Sequence, residues 1–306
     1  MSILQAFSTG FRRATSEPKM VFVLYLLNLI LAIPLALAFR SVLLTAFGSS
    51  MAPAAMMESL DFTVFQDFMN FHYANLQTVL GQVLSVFVLS MIVQTFLAGG
   101  ILTVLQDQAK YTSADFFKGC GAYFFRFFRL FLLFGLILVL TAVVVAVVVF
   151  ALAEGLTENA SSEVTELWIR LVAFVLFLLP VMLIMMAGDY AKIHMVLHDQ
   201  RSAFRMCGKG FAFVVRRFLP AIALELLMLL VPVLLFAVYL VLDLSIGMTS
   251  GPTIAVMFVI QQLYMMLRAW TRVFFLAGEL ALYRNLQSRP FAAFDAAPVA
   301  PGIDKV

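Results

Sequence analysis

The chain has 306 residues, of which 63% are hydrophobic and 12% charged, with 32 phenylalanines among them. So little polar surface cannot cover a soluble globule, which excludes an ordinary cytosolic domain and points to an integral membrane protein. The formal net charge is only +3, but it is spread very unevenly along the chain, and that unevenness is the more informative quantity.

The first element is short. Ile3, Phe7, Phe11 and Ala14 recur three or four residues apart, the stripe of a helix, with Arg12 and Arg13 off that stripe. This predicts a helix lying on the inner leaflet, its Phe side chains in the acyl boundary and its arginines among anionic headgroups. Glu17-Pro18 ends it, because proline pushes the residue before it out of helical conformation and suits the first turn of the next helix. Six apolar stretches follow, near residues 20–40, 79–104, 127–152, 168–188, 218–242 and 254–277, and about 20 apolar residues suffice to cross a bilayer. The first is too long for the apolar region of a cleaved signal and is expected to remain as an anchor. Between the first two stretches, Phe62, Phe65, Phe68 and Phe71 are spaced by three, which predicts a short helix on the outer surface.

Most Lys and Arg residues lie on one side of these stretches, including Lys19, Lys118, Lys192, Arg201, Arg205, Lys209 and Arg284, whereas the opposite loops carry Glu58, Asp61, Asp67, Glu154, Glu158, Glu163 and Glu166. The positive-inside rule then sets both termini in the cytoplasm, in a multi-pass inner-membrane protein. Cys120 and Cys207 fall on the cytoplasmic, reducing side, where a structural disulfide is not expected.

A joint recurs along the chain. Ala98-Gly99-Gly100, Ala187-Gly188-Asp189 and Ala277-Gly278-Glu279 close the even-numbered stretches, while Phe7, Phe116 and Phe204 open amphipathic segments that lead into the odd-numbered ones. The expected fold class is therefore all-α integral membrane, with six transmembrane helices as three pseudo-repeated hairpins (about 1–105, 113–195 and 201–284), each preceded by a cytoplasmic amphipathic interfacial helix. Two-pass units return the chain to the same side, so the copies are parallel and any pseudo-symmetry axis runs along the membrane normal. A single membrane domain, 1–284, is expected, followed by a flexible cytoplasmic tail, 285–306, rich in Pro and Ala.

Ionisable groups at membrane depth are the sharpest candidates for a site, because an unpaired one costs at least about 2.5–3.5 kcal/mol on insertion scales. Arg268 and Arg272 lie one turn apart on the sixth stretch, Gln261 and Gln262 further out on it, and Glu225 on the fifth. A Glu225–Arg272 pair is expected, either as a structural bridge or as part of a ligand or ion path. Asp189 and Glu279 hold equivalent places at the inner boundary and read as interfacial carboxylates near Lys192 and Arg284. Arg12, Arg13, Arg126, Arg129, Arg216 and Arg217 are the expected lipid-headgroup ligands. Their Phe-rich surroundings fit lipid better than base stacking, so no nucleic acid is expected. His194 and His198 are four apart, but no Cys pair or intervening Glu accompanies them, and no metal or cofactor is expected. No nucleophile elbow or phosphate loop appears, so no catalytic residue is named.

A Phe-rich cytoplasmic segment before each of three hairpins, with Ala-Gly closing each second helix, resembles a broad group of bacterial six-span membrane proteins. That group includes the membrane domain joined to some glycerophosphodiester phosphodiesterases. The hydrolase chemistry of that family belongs to a separate soluble domain, so the resemblance implies a fold over Phe7 to Tyr283 and carries over no catalytic residue. The expected function is a non-catalytic, membrane-organising or accessory role in contact with anionic lipid or a cytoplasmic partner. The alternative is a small permease with a polar path on the sixth helix.

Overall fold

In the computed structural model, residues 3–48, 73–107, 111–157, 162–247 and 250–287 are described. They form eight helices and no strand: α1 (Ile3–Ser16), α2 (Pro18–Phe47), α3 (Tyr73–Asp107), α4 (Ser113–Thr157), α5 (Glu163–Leu197), α6 (Ala203–Arg216), α7 (Phe218–Ser245) and α8 (Gly251–Gln287). Six of them, all but α1 and α6, are long and apolar enough to cross a membrane. The expected outer helix around Phe62, Phe65, Phe68 and Phe71, and the tail beyond Gln287, lie outside the described residues.

The helices depart from expectation in one place. A separate surface helix was expected at 113–126 ahead of a span at 127–152, but α4 runs unbroken for 45 residues. The reason is proline. Pro18 starts α2 directly after α1, and Pro220 lies in the first turn of α7 after α6, so the chain breaks at Glu17 and Arg217. Residues 126–132 hold no proline, and nothing removes a backbone donor or blocks the helical turn there. Pro34, Pro180 and Pro232 lie inside long helices, as spanning helices tolerate when neighbouring groups satisfy the freed carbonyls.

The chain divides into two compact units. The unit of residues 17–132 and 239–270 holds α2, α3, the first turns of α4 and the outer half of α8. Here Gln94 Nε2 donates to Asn28 Oδ1 at 2.6 Å, tying α3 to α2, and Tyr25 Oη donates to Gln262 Oε1 at 2.8 Å, tying α2 to α8. Asn28→Leu is expected to lower the thermal midpoint of the purified protein by the equivalent of about 0.6–1.7 kcal/mol, the range for hydrogen bonds between membrane helices. Asn28→Leu/Gln94→Leu should recover part of that loss, because the second change removes the amide that had donated to Asn28.

The first turns of α4 lie on α3 through small residues. A Cβ at Gly100 would stand 2.7 Å from the Phe116 carbonyl oxygen and 2.5 Å from Cys120 Sγ, and one at Gly119 would meet the Thr103 side chain at 2.5 Å. Both glycines are needed for backbone approach.

The other unit, residues 1–16, 133–238 and 271–306, holds α1, most of α4, α5, α6, most of α7 and the inner end of α8. α1 docks on α8: a Cβ at Gly10 would come within 2.8 Å of the Gly278 backbone, and Phe7 packs edge-on against Phe274 at 5.2 Å. α6 docks on α5 at Gly210, against the Ala187 carbonyl oxygen and Ala191. Phe134 of α4 stacks on Phe211 at 5.5 Å and covers Gly188. Long apolar faces remain exposed, as along α4 at Leu136, Val139, Val143 and Val147. In water such a face drives aggregation; against hydrocarbon it is the ordinary outer surface of a spanning helix.

Candidate functional site

Charged side chains from three helices of the α1-containing unit act on one another. α5 carries Asp189, Tyr190 and Lys192, α7 carries Glu225, and α8 carries Arg272 and Glu279. Lys192 Nζ donates to Asp189 Oδ1 at 2.6 Å. The charge of Asp189 reaches Glu225, Arg272 and Glu279, and that of Glu225 reaches Glu279. All three carboxylates bear on the buried Tyr190 hydroxyl.

Glu279 is the unusual member. It is 1% exposed, and its Oε2 is buried without a hydrogen-bond partner. It was expected as an interfacial carboxylate, but almost every residue of α8 from Val273 to Leu280 is buried. The cause is Gly278: with no Cβ it admits α1 to backbone contact on one side, and a Cβ there would stand 2.5 Å from Met228 Sδ of α7. Close approach on two sides takes the adjacent glutamate out of solvent.

Glu225 and Arg272, the expected pair, both belong to this cluster and are half-buried. Asp189, expected only as an interfacial carboxylate, bears by its charge on both of them. Gln261, Gln262 and Arg268 belong to the other unit. There Gln262 is engaged by Tyr25, Gln261 is half-buried and Arg268 is exposed.

An aromatic group adjoins the carboxylates. Phe213 of α6 lies 4.5 Å from Tyr190 and 4.9 Å from Tyr283, ring centre to ring centre. His194 and His198 stand 4.3 Å apart, and Gln287 Nε2 lies 3.3 Å from His198 Nε2 and donates to Tyr283 Oη at 2.9 Å. Among the described residues no group of three or more His, Cys, Asp or Glu side chains gathers to hold a metal ion. Cys120 and Cys207 are both free and buried. Burial pushes the Cys207 thiol up from its ordinary value, which keeps it protonated and unreactive.

The expected headgroup arginines sit on helices with one buried and one exposed side. On α1, Ala6, Gly10 and Ala14 are buried while Leu4, Phe11 and Arg12 are exposed and Arg13 is half-buried. At the start of α4, Phe116 and Cys120 are buried, Phe117, Lys118, Phe125 and Arg129 are exposed, and the Arg126 guanidinium lies 5.3 Å over the Tyr123 ring. On α6, Met206, Gly210 and Val214 are buried, Phe204 is 78% exposed, and Val215 and Arg216 are exposed beside half-buried Arg217. In each case large apolar and cationic side chains share the open side, the pairing that suits the boundary between acyl chains and anionic headgroups. No protein-family model, curated protein or solved structure matches the chain.

Proposed function

We propose that this chain is a non-catalytic, membrane-organising protein of the inner membrane, with both termini cytoplasmic, that holds anionic lipid headgroups on three basic, aromatic segments. The observation that carries this reading is the shared open side just described. Exposed Phe11, Phe125 and Phe204 each neighbour exposed or half-buried arginines, on segments whose other side is anchored to a span.

The same contacts support three pseudo-repeated hairpins. α1 docks on α8, the start of α4 on α3, and α6 on α5, each through glycine or alanine. Each leading segment thus rests on the returning span of the copy before it, and the first rests on the last. Aligned by their buried sides, the copies register at Ala6, Phe116 and Met206, then at Gly10, Cys120 and Gly210, rather than at Phe7, Phe116 and Phe204. The resemblance to membrane domains joined to some glycerophosphodiester phosphodiesterases belongs to this proposal as a likeness of fold. The permease reading has less support, because Gln262 of its path is engaged by Tyr25.

The test is retention of lipid. Each Lys or Arg near a surface contributes about 1 kcal/mol of attraction to anionic lipid. Arg216→Gln/Arg217→Gln is therefore expected to weaken phosphatidylglycerol binding by roughly thirtyfold at low salt, with phosphatidylcholine binding unchanged. Native mass spectrometry or spin-labelled lipid reads this directly, and equal retention of phosphatidylglycerol by variant and wild type would refute the role.

A further inference from the structure

We propose that Glu279 binds one exchangeable proton. This site is separate from the lipid-facing segments and stands or falls without them. Charge comes first. Three carboxylates that act on one another meet two cations, Lys192 in contact with Asp189 and Arg272 within reach of its charge. Tyr190 adds a neutral hydroxyl. Both cations act on Asp189, whereas Glu279 is 1% exposed, and ionising a carboxylate that deeply buried is costly.

The second observation is the orphaned oxygen. Glu279 Oε2 is buried and has no hydrogen-bond partner, so ionisation would leave that oxygen unstabilised. A metal ion needs several converging ligands, and the described residues hold no such group. An ammonium group needs a cavity of its own size, and Glu279 lies on the tightly packed stretch around Phe274, Ala277 and Gly278. A proton needs no room. Taken from water, it forms an O–H bond on one carboxylate oxygen and removes the charge from the buried group.

The titratable groups that face Glu279 are Asp189, Tyr190 and Lys192 from α5 and Glu225 from α7; Arg272 lies about two turns back on α8. α1 meets α8 at Gly278 through Ala6 and Gly10 and brings no charge to that contact. A site so placed sets one exchangeable charge on α8 in the field of charges on α5 and α7. Intramembrane carboxyls of this kind serve as proton relays.

Infrared difference spectroscopy of the full chain in lipid nanodiscs tests this. The expected result is the carbonyl stretch of a protonated carboxyl at neutral pH, lost at alkaline pH, shifted in heavy water, absent from Glu279→Gln and displaced in Glu225→Gln. The proposal is overturned by wild-type spectra without that band at neutral pH, or by a band unchanged in both variants. It is equally overturned if sodium ions abolish the band, which would make the site one for an alkali cation. The wild-type spectra decide the first and third outcomes even if Glu279→Gln does not fold.

Discussion

Gly210→Ala is expected to lower the unfolding midpoint of the purified protein, while Gly208→Ala, two residues earlier on the same helix, is expected to raise it. A Cβ at position 210 would overlap the Ala187 carbonyl oxygen and approach Ala191 Cβ to 2.9 Å, whereas one at 208 meets nothing within 4 Å. The obstructing atom is backbone of a spanning helix, which cannot rotate aside as a side chain can. α6 must therefore lift from α5, and overpacking of this kind costs about 1–3 kcal/mol. At Gly208 only the helix preference of alanine acts, a gain of about 0.8–1 kcal/mol over glycine. Alanine's helix preference acts at both positions, so the two variants differ by the overpacking alone, about 1–3 kcal/mol, enough to offset the gain at position 210. Midpoints measured in one detergent for both variants check this. Equal shifts would show that α6 is not seated on α5 through Gly210.

The pair also shows what could be read from residues alone. Gly119-Cys120-Gly121 and Gly208-Lys209-Gly210 both look like packing motifs, but in each only one glycine is in contact: Gly119 on Thr103 and Gly210 on Ala187, while Gly121 and Gly208 face open space. Spacing says that a helix has small residues; it does not say which of its sides meets a neighbour. The six spans were legible because bilayer thickness sets a minimum apolar run that no other local signal imitates. The continuity of α4 was legible too, in the absence of proline between Arg126 and Leu132, but arginines at 126 and 129 look like a membrane boundary, and long cationic side chains can reach the headgroup zone from inside a helix.

The cluster was only half visible. Asp189 and Glu279 announced themselves by recurring after Ala-Gly, and Glu225 and Arg272 by their depth in apolar stretches. That the charge of Asp189 reaches the other three depends on how α5, α7 and α8 pack. That Glu279 is buried depends on α1, from the opposite end of the chain, lying against Gly278. No local pattern encodes a contact of such sequence separation.

Arg272→Met is expected to destabilise the protein by roughly 3 kcal/mol, the low end of the range for breaking a buried ion pair by removing one partner. Two terms oppose each other. Losing an arginine from a spanning helix relieves an insertion cost of about 2.5–3.5 kcal/mol at mid-membrane, but Arg272 is half-buried and the charge of Asp189 already compensates it, so little cost is left to relieve. Against that, the change removes one of two cations acting on Asp189, the other being Lys192, beside carboxylates that repel one another. The loss of compensation therefore wins. Asp189→Asn in the same chain should restore most of the stability, because it deletes the charge that reaches Arg272, and Arg272→Lys alone should lose less than Arg272→Met because a cation is retained. Thermal midpoints of the single and double variants, compared as a cycle, give the coupling. Should Arg272→Met melt with the wild type, or should Asp189→Asn add to its loss instead of offsetting it, the electrostatic linkage between α5 and α8 is not what holds these helices in register.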